Sequence, residues 1–424
     1  MRFWLNTVGE SLPTDPGSPR LLRTGLLAEG LLHRGHDVVW WSSTFDHVHK
    51  RHRAATRTEL LVRGGYRLLL LHGPGYRRNV SLRRWANHRA IARQFAAWSR
   101  ELEPPDLLLC SVPNLELARE AVRYGHARRV PVVLDLRDMW PDIFLDLFPA
   151  PARRLLRPAL TGLHADLHEA CTGATALTGI SPEFIEWGLA AAGRSGSRLD
   201  RHFWLAYSAA MPRGEEIRDA EARWRREGIE PGTLNPVACF FGTMSSKSFE
   251  MGTILEAARR LEPTGSPWRF VLCGAGDSLD KYRRQAHGLR NVIFPGWVTA
   301  AEIWTLMRAS LVGLAPYRSR SDFVASIPNK SIEYLSAGLP VVSSLQGSLA
   351  RLLARAHAGL TYANGDADDL LRALQRVLDC PQERAVMAGN AAELYQREFV
   401  AERVYDEMAA YLEEIVREQR RALG

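Results

Sequence analysis

The strongest constraint on this chain is a repeated alternation of short apolar runs of strand length with longer stretches of helical spacing. In the first part of the chain the runs are RFWLN (2–6), DVVWW (37–41), LLLL (68–71), DLLLC (106–110), VPVVLDL (130–136) and ALTGI (176–180). Between the first two, Leu22, Leu26, Leu27, Gly30 and Leu31 recur on one helix face. Runs that are apolar throughout suit strands covered on both faces, so the pattern predicts a parallel sheet with helices on either side. Residues 188–213 are rich in Gly, Ser and Ala and lack periodicity, and the alternation then restarts. It gives VACFFG (237–242), a helix over 251–261, RFVLCG (269–274), NVIFPG (291–296), LVGLAP (311–316), a helix near 329–337 and LPVVSS (339–344).

Length supports two such halves, because 424 residues exceed the roughly 250–300 at which a single core stops growing. The expected architecture is α/β, with two Rossmann-like domains, 1–200 and 201–395, facing a central cleft. A helical tail over 396–424 has apolar residues at 400, 404, 408, 412 and 415, which would let it pack back on the first domain.

Composition removes several classes. With 46% hydrophobic and 24% charged residues the chain is neither collagen-like, coiled-coil nor disordered. No apolar run reaches the roughly 18 residues that span a bilayer. Glu10 and Pro13 interrupt the start before a signal-peptide core, so a cytosolic protein is expected. The five cysteines are odd in number and widely spaced, which suits reduced thiols. Thirteen histidines form no H-E-x-x-H, and no G-x-S-x-G elbow occurs. Asp366-Ala367-Asp368-Asp369 resembles a D-x-D metal motif but follows Asn364-Gly365, where acids favour a helix start. No metal or cofactor is therefore expected.

The net charge of +8 is uneven. Residues 1–199 hold 27 Lys or Arg against 19 Asp or Glu, whereas 200–424 hold 28 of each. Residues 51–100 alone carry twelve arginines with Glu59 as their single acid, interleaved with Tyr66, Tyr76, Leu82, Trp85, Ile91, Phe95 and Trp98. Such a segment predicts an anionic partner. Without a zinc-finger, RNP or helix-turn-helix signature, an anionic membrane surface is the better fit and nucleic acid is not expected. A merely arginine-rich solvated face stays open as the plain alternative.

Four loops in the second half leave the ends of apolar runs, where parallel sheets collect ligands. Gly242-Thr243 with Lys247 suits a pyrophosphate, and Gly274-Ala275-Gly276 allows close backbone approach. Gly296-Trp297-Val298 offers an aromatic to a base. The fourth, Ile327-Pro328-Asn329-Lys330 running to Glu333, combines a proline-led helix start with a carboxylate one turn in. Taken singly, each glycine could be a tight turn, Lys247 a surface lysine, Trp297 a core residue and Glu333 a solvated acid.

Together CGAGD, NVIFPGW, GLAPY and IPNKSIEYLSAGLPVV resemble the donor-binding half of the retaining family 4 glycosyltransferases, which have the two-Rossmann B-type fold (GT-B). GESLPTDPGSPRLLRTGLLAEGLLHRGHDVVWWSSTFDH and VVLDLRDMWPDIFLD resemble the bacterial fucosamine transferases of O-antigen and capsule assembly. The resemblance implies a nucleotide-diphosphate sugar donor, a UDP-sugar first, and a lipid-linked saccharide acceptor met at the inner face of the cytoplasmic membrane. It implies that Glu333 binds the ribose, that the amides of Ile327, Asn329 and Lys330 and the side chain of Lys247 meet the diphosphate, and that Gly242 and Thr243 border it. Gly274, Gly276, Trp297 and Val298 would flank the base, and Gly17 and Ser18 would reach the phosphate or sugar from the first domain. Asp138 and Arg137 would line the acceptor side, although Asp138 could equally cap the following turn. The family's usual Glu eight residues before the ribose carboxylate is Ala325 here, and its usual His after the fourth strand is absent from Asp135-Leu136-Arg137-Asp138. A nucleotide-sugar epimerase, or a binding protein without turnover, therefore remains an alternative.

Overall fold

The computed structural model describes residues 1–17, 20–62, 64–148, 150–230 and 236–423. They form two compact units, one of Met1–Trp204 together with the chain from Ala401 on, the other of Leu205–Val400.

The first unit contains β1 (Arg2–Asn6), β2 (Asp37–Ser43), β3 (Phe45–Asp46), β4 (Arg51–His52), β5 (Thr58–Leu61), β6 (Arg67–Leu71), β7 (Leu107–Val112), β8 (Val132–Leu136), β9 (Ala176–Gly179) and β10 (Arg201–His202). Eight of them form one sheet in the order β10-β9-β8-β7-β1-β2-β6-β5, parallel except for β5, while β3 and β4 pair separately. The central strands are buried along nearly their whole length, as their unbroken apolar runs require. Trp4 meets Trp41 at 5.2 Å and Trp41 meets Phe95 at 5.0 Å, both edge-on, which fixes helix Leu82–Trp98 against the sheet.

Helix Ala401–Leu423 belongs to this unit and lies along helix Arg23–His33. Val404, Met408, Leu412 and Ile415 are its buried stripe. At Gly30 the two helices are close enough that a Cβ would be in van der Waals contact, 3.6 Å, with the Tyr405 carbonyl oxygen. The Glu413 carboxylate accepts hydrogen bonds from Arg34 Nε and is 2.7 Å from His36 Nε2.

The basic segment looks different from its sequence reading. Tyr66, Tyr76, Ile91, Phe95 and Trp98 are core residues, so they cannot be interfacial aromatics; Leu82 and Trp85 are the two that remain exposed. Among the described residues no helix is long and apolar enough to cross a membrane.

The second unit contains β11 (Val237–Phe241), β12 (Arg269–Cys273), β13 (Val292–Gly296), β14 (Val312–Ala315), β15 (Val341–Ser343) and β16 (Gly359–Thr361), all parallel in the order β13-β12-β11-β14-β15-β16. The order grows one way from β11 and then reverses to β14. A doubly wound sheet opens its crevice at that reversal, beyond the carboxyl ends of the two strands.

Candidate functional site

The carboxyl ends of β11, β12 and β13 are joined by backbone hydrogen bonds that continue the sheet into its loops. Gly242 N donates to Cys273 O at 3.0 Å, Gly274 N to Gly296 O at 2.7 Å and Met244 N to Ala275 O at 2.9 Å. The glycines are dictated by this close approach. A Cβ at Gly274 would stand 1.8 Å from Gly242 O, and one at Gly276 would stand 2.5 Å from Met244 O. The neighbouring loop alone therefore requires both residues, which then leave a bare backbone rim where a ligand can lie.

Across the reversal, helix Asn329–Ser336 follows β14. Tyr334 anchors it: its ring fits against Gly313, where a Cβ would be 2.3 Å away, and its hydroxyl donates to Leu314 O at 3.1 Å. Lys330, one turn before Tyr334 on the same helix face, is carried by that seating to the end of β11, and Glu333 lies three residues beyond it. Pro328 precedes the helix and no side chain caps its first turn, so free amides and the positive end of the helix dipole stand at the crevice.

Lys330 brings its ammonium to the end of β11. A Cβ on Gly242 would lie 2.4 Å from its Nζ, and the ammonium sits 4.8 Å from the ring centre of Phe249. Burial lowers its pKa from the ordinary lysine value, while the charge of Glu333 opposes that shift. Lys247, assigned the diphosphate from sequence, is exposed in the loop beyond Ser245. The loop turns its side chain outward because Ser246 N is bonded to Ser278 Oγ and Ser246 O accepts from Arg318.

The remaining residues divide. Glu333 and Gly242 are half-buried, Thr243 is exposed, and Ile327 is buried behind the exposed Asn329. Trp297 is 78% exposed, which excludes the core reading, while Val298 beneath it is buried. Arg223 holds the turn by donating to Pro295 O at 2.7 Å. Ala325 is buried, and Asp322, the nearest acid, is paired with Arg320 through both oxygens at 3.0 and 2.7 Å. Asp366 caps a helix by accepting from Asp369 N at 2.9 Å, and Asp368 pairs with Arg260.

In the first unit Arg137 is held in a group of ion pairs. Its guanidinium donates to Asp135 at 2.6 Å, to Thr24 Oγ1 at 3.0 Å and to Glu10. Asp135 also takes a two-pronged contact from Arg23, at 3.0 and 2.9 Å. Burial alone would raise the Asp135 pKa, but Arg23 and Arg137 hold it far below the usual carboxylate range. Sequence reasoning missed this group because its members are spread from residue 10 to residue 137. Asp138, just beyond β8, is half-buried and within electrostatic reach of Arg84. Gly17 is exposed at positive φ in a loop held by Asp15 and Arg53, and Ser18 lies outside the described residues.

Residues 235–380 match the family model described as Glycosyl transferases group 1. A phosphatidyl-myo-inositol mannosyltransferase of Mycolicibacterium smegmatis is 30% identical over 159 residues, 37% of this chain and 40% of the mannosyltransferase's own length. The whole fold is similar to sucrose-phosphate synthase from Thermosynechococcus elongatus (TM-score 0.71, 16% identity, 98% of each chain). It is also similar to Anabaena HepE in complex with UDP and glucose (TM-score 0.65, 15% identity, 98% of this chain and 100% of that one). WaaG, a glycosyltransferase involved in lipopolysaccharide biosynthesis, is a further match (TM-score 0.61, 14% identity, 97% and 99%). The chain thus has the two-Rossmann GT-B fold of those structures, and its segment 235–380 matches the glycosyl transferases group 1 model.

Proposed function

We propose that the protein is a retaining glycosyltransferase. It moves a hexose or N-acetylaminohexose from a nucleotide-diphosphate sugar, a UDP-sugar first, to a lipid-linked saccharide. The observation that carries the reading is the Lys330 ammonium beside Gly242, next to the uncapped first turn of helix Asn329–Ser336. A diphosphate leaving group gains negative charge as the glycosidic bond breaks, and a fixed cation with helix-end amides stabilises that charge most in the transition state. Glu333 is then the acceptor for the ribose hydroxyls, and exposed Trp297 is the surface on which the base stacks. The acceptor hydroxyl attacks on the face from which the diphosphate departs, so no protein nucleophile is required.

A lipid-linked acceptor is supported by the mannosyltransferase relative, whose name carries phosphatidyl-myo-inositol, and by the arginines of residues 51–100. The test is a panel of UDP-, GDP- and dTDP-sugars offered with a lipid-linked saccharide. The reading expects one donor to be consumed, a product of unchanged anomeric configuration and loss of turnover in Glu333→Ala. If no donor is bound or hydrolysed and Glu333→Ala changes nothing, it fails. Ala325 supports a second reading, a nucleotide-sugar-binding protein without catalysis, which predicts binding with no turnover for any acceptor.

A further inference from the structure

A hollow in the first unit lies beside Arg84, the residue that Asp138 faces. It has a volume of about 800 Å³ and is bounded by the start of helix Leu82–Trp98, the start of helix Leu115–Arg128 and the first turns of helix Thr161–Gly173. Its size falls in the range of roughly 300–1,000 Å³ typical of small-ligand sites. Leu82, Trp140, Phe144, Leu160 and Leu163 supply an apolar wall. Such a hollow suits hydrocarbon.

It is not wholly apolar. The guanidinium of Arg84 lies 4.3 Å from the Trp140 ring centre, and that of Arg89 lies 3.5 Å from the Trp85 ring centre. Arg89 forms no ion pair among the described residues, while Arg119 is already paired with Asp166 and Glu120. Arg77, Arg78 and Arg83 are exposed beside the 83% exposed Leu82. At the inner end, Glu116 is 3% exposed and its Oε1 has no hydrogen-bond partner, although it borders the hollow. Burial raises the Glu116 pKa and pushes that of neighbouring His88 down to about 3.

We propose that this hollow is a lipid site that holds one hydrocarbon chain bearing a phosphate head, the chain against Leu82, Phe144, Leu160 and Leu163 and the head at Arg84 and Arg89. Calling that lipid the anchor of the acceptor rests on the transferase reading; its binding does not. The charge of the rim selects an anionic head, and the exposed Leu82 and Trp85 are placed to meet the bilayer from which the lipid is drawn.

Gly162 gives a direct test. It borders the hollow and a Cβ there would meet nothing within 4 Å, so Gly162→Trp projects into open space. Dodecyl phosphate, below its micelle concentration and with no nucleotide sugar present, is titrated calorimetrically into the full chain. Wild type is expected to bind it, inorganic phosphate is expected not to compete at equal concentration, and Gly162→Trp is expected to raise Kd at least tenfold. Arg89→Gln, at an exposed position, is expected to raise Kd at least fivefold with an unchanged melting temperature, which guards against a misfolded Gly162→Trp. The proposal is overturned if wild type does not bind dodecyl phosphate, if both variants bind it like wild type, or if inorganic phosphate displaces it. Equal adsorption of wild type and Gly162→Trp to phosphatidylglycerol vesicles, without dodecyl phosphate binding, also overturns it in favour of surface attachment. Lipid binding in a protein that binds no nucleotide sugar would sink the transferase reading alone, whereas sugar transfer without lipid binding would sink this one alone.

Discussion

Lys330 occupies the space that a side chain on residue 242 would fill: a Cβ on Gly242 would stand 2.3 Å from its Cε. Gly242 also has φ of +146°, a conformation that L side chains rarely adopt. Gly242→Ala should therefore displace the lysine as well as strain the turn, at a cost of about 1–3 kcal/mol. We expect nucleotide-sugar affinity to fall at least tenfold while circular dichroism stays native. Unchanged affinity in calorimetry would separate this contact from donor binding.

Trp297 contributes almost nothing to the core, being 78% exposed. Its removal should change unfolding free energy by no more than about 0.5 kcal/mol. If the base stacks on it, Trp297→Ala should lose about 1–3 kcal/mol of donor binding, and Trp297→Phe should recover part of that. Chemical denaturation and donor titration on the same preparations check both halves.

Asp135 bridges Arg23 and Arg137 with its carboxylate fully buried and the Arg23 side chain 2% exposed. Asp135→Asn leaves two buried cations short of a partner and should cost about 3–5 kcal/mol. Because the folded pKa is depressed, the carboxylate's contribution is complete above its unfolded value, about 3.9, and is lost as pH falls from there toward the folded value. Urea midpoints should drop between pH 5 and pH 3 in wild type and much less in Asp135→Asn.

Glu413 ties the terminal helix to the first unit. The hydrogen bond from Arg34, aided by His36 and opposed by burial, lowers its pKa to about 2. Its stabilising effect is present above an unfolded value near about 4.3 and fades as pH drops toward 2. Glu413→Gln should raise hydrogen exchange in residues 401–423 at pH 7 more than elsewhere. Exchange that rises equally throughout the first unit would contradict a local tie.

The two α/β halves were legible because strands buried on both faces, such as VACFF and RFVLC, leave unbroken apolar runs. Short edge strands were not. Arg201–His202 is exposed and Gly359–Thr361 carries no apolar pattern, so their pairing comes from neighbours rather than composition. Within the site, Glu333 and the turn before it stood out by spacing. The placement of Lys330 beside Gly242 did not, because it depends on how Tyr334 seats against Gly313, a contact between residues on different elements. The same limit hid the Arg137 ion group and the hollow beside Gly162, both assembled from residues far apart in the chain.

The central claim is that the cation serving the donor diphosphate is Lys330. Calorimetric titration of UDP-glucose, and of the donor selected by the panel, into wild type, Lys330→Met and Lys247→Met tests it most directly. The account predicts at least a tenfold loss of affinity for Lys330→Met and less than a twofold change for Lys247→Met. The reverse order, or equal affinity in all three proteins, would contradict it.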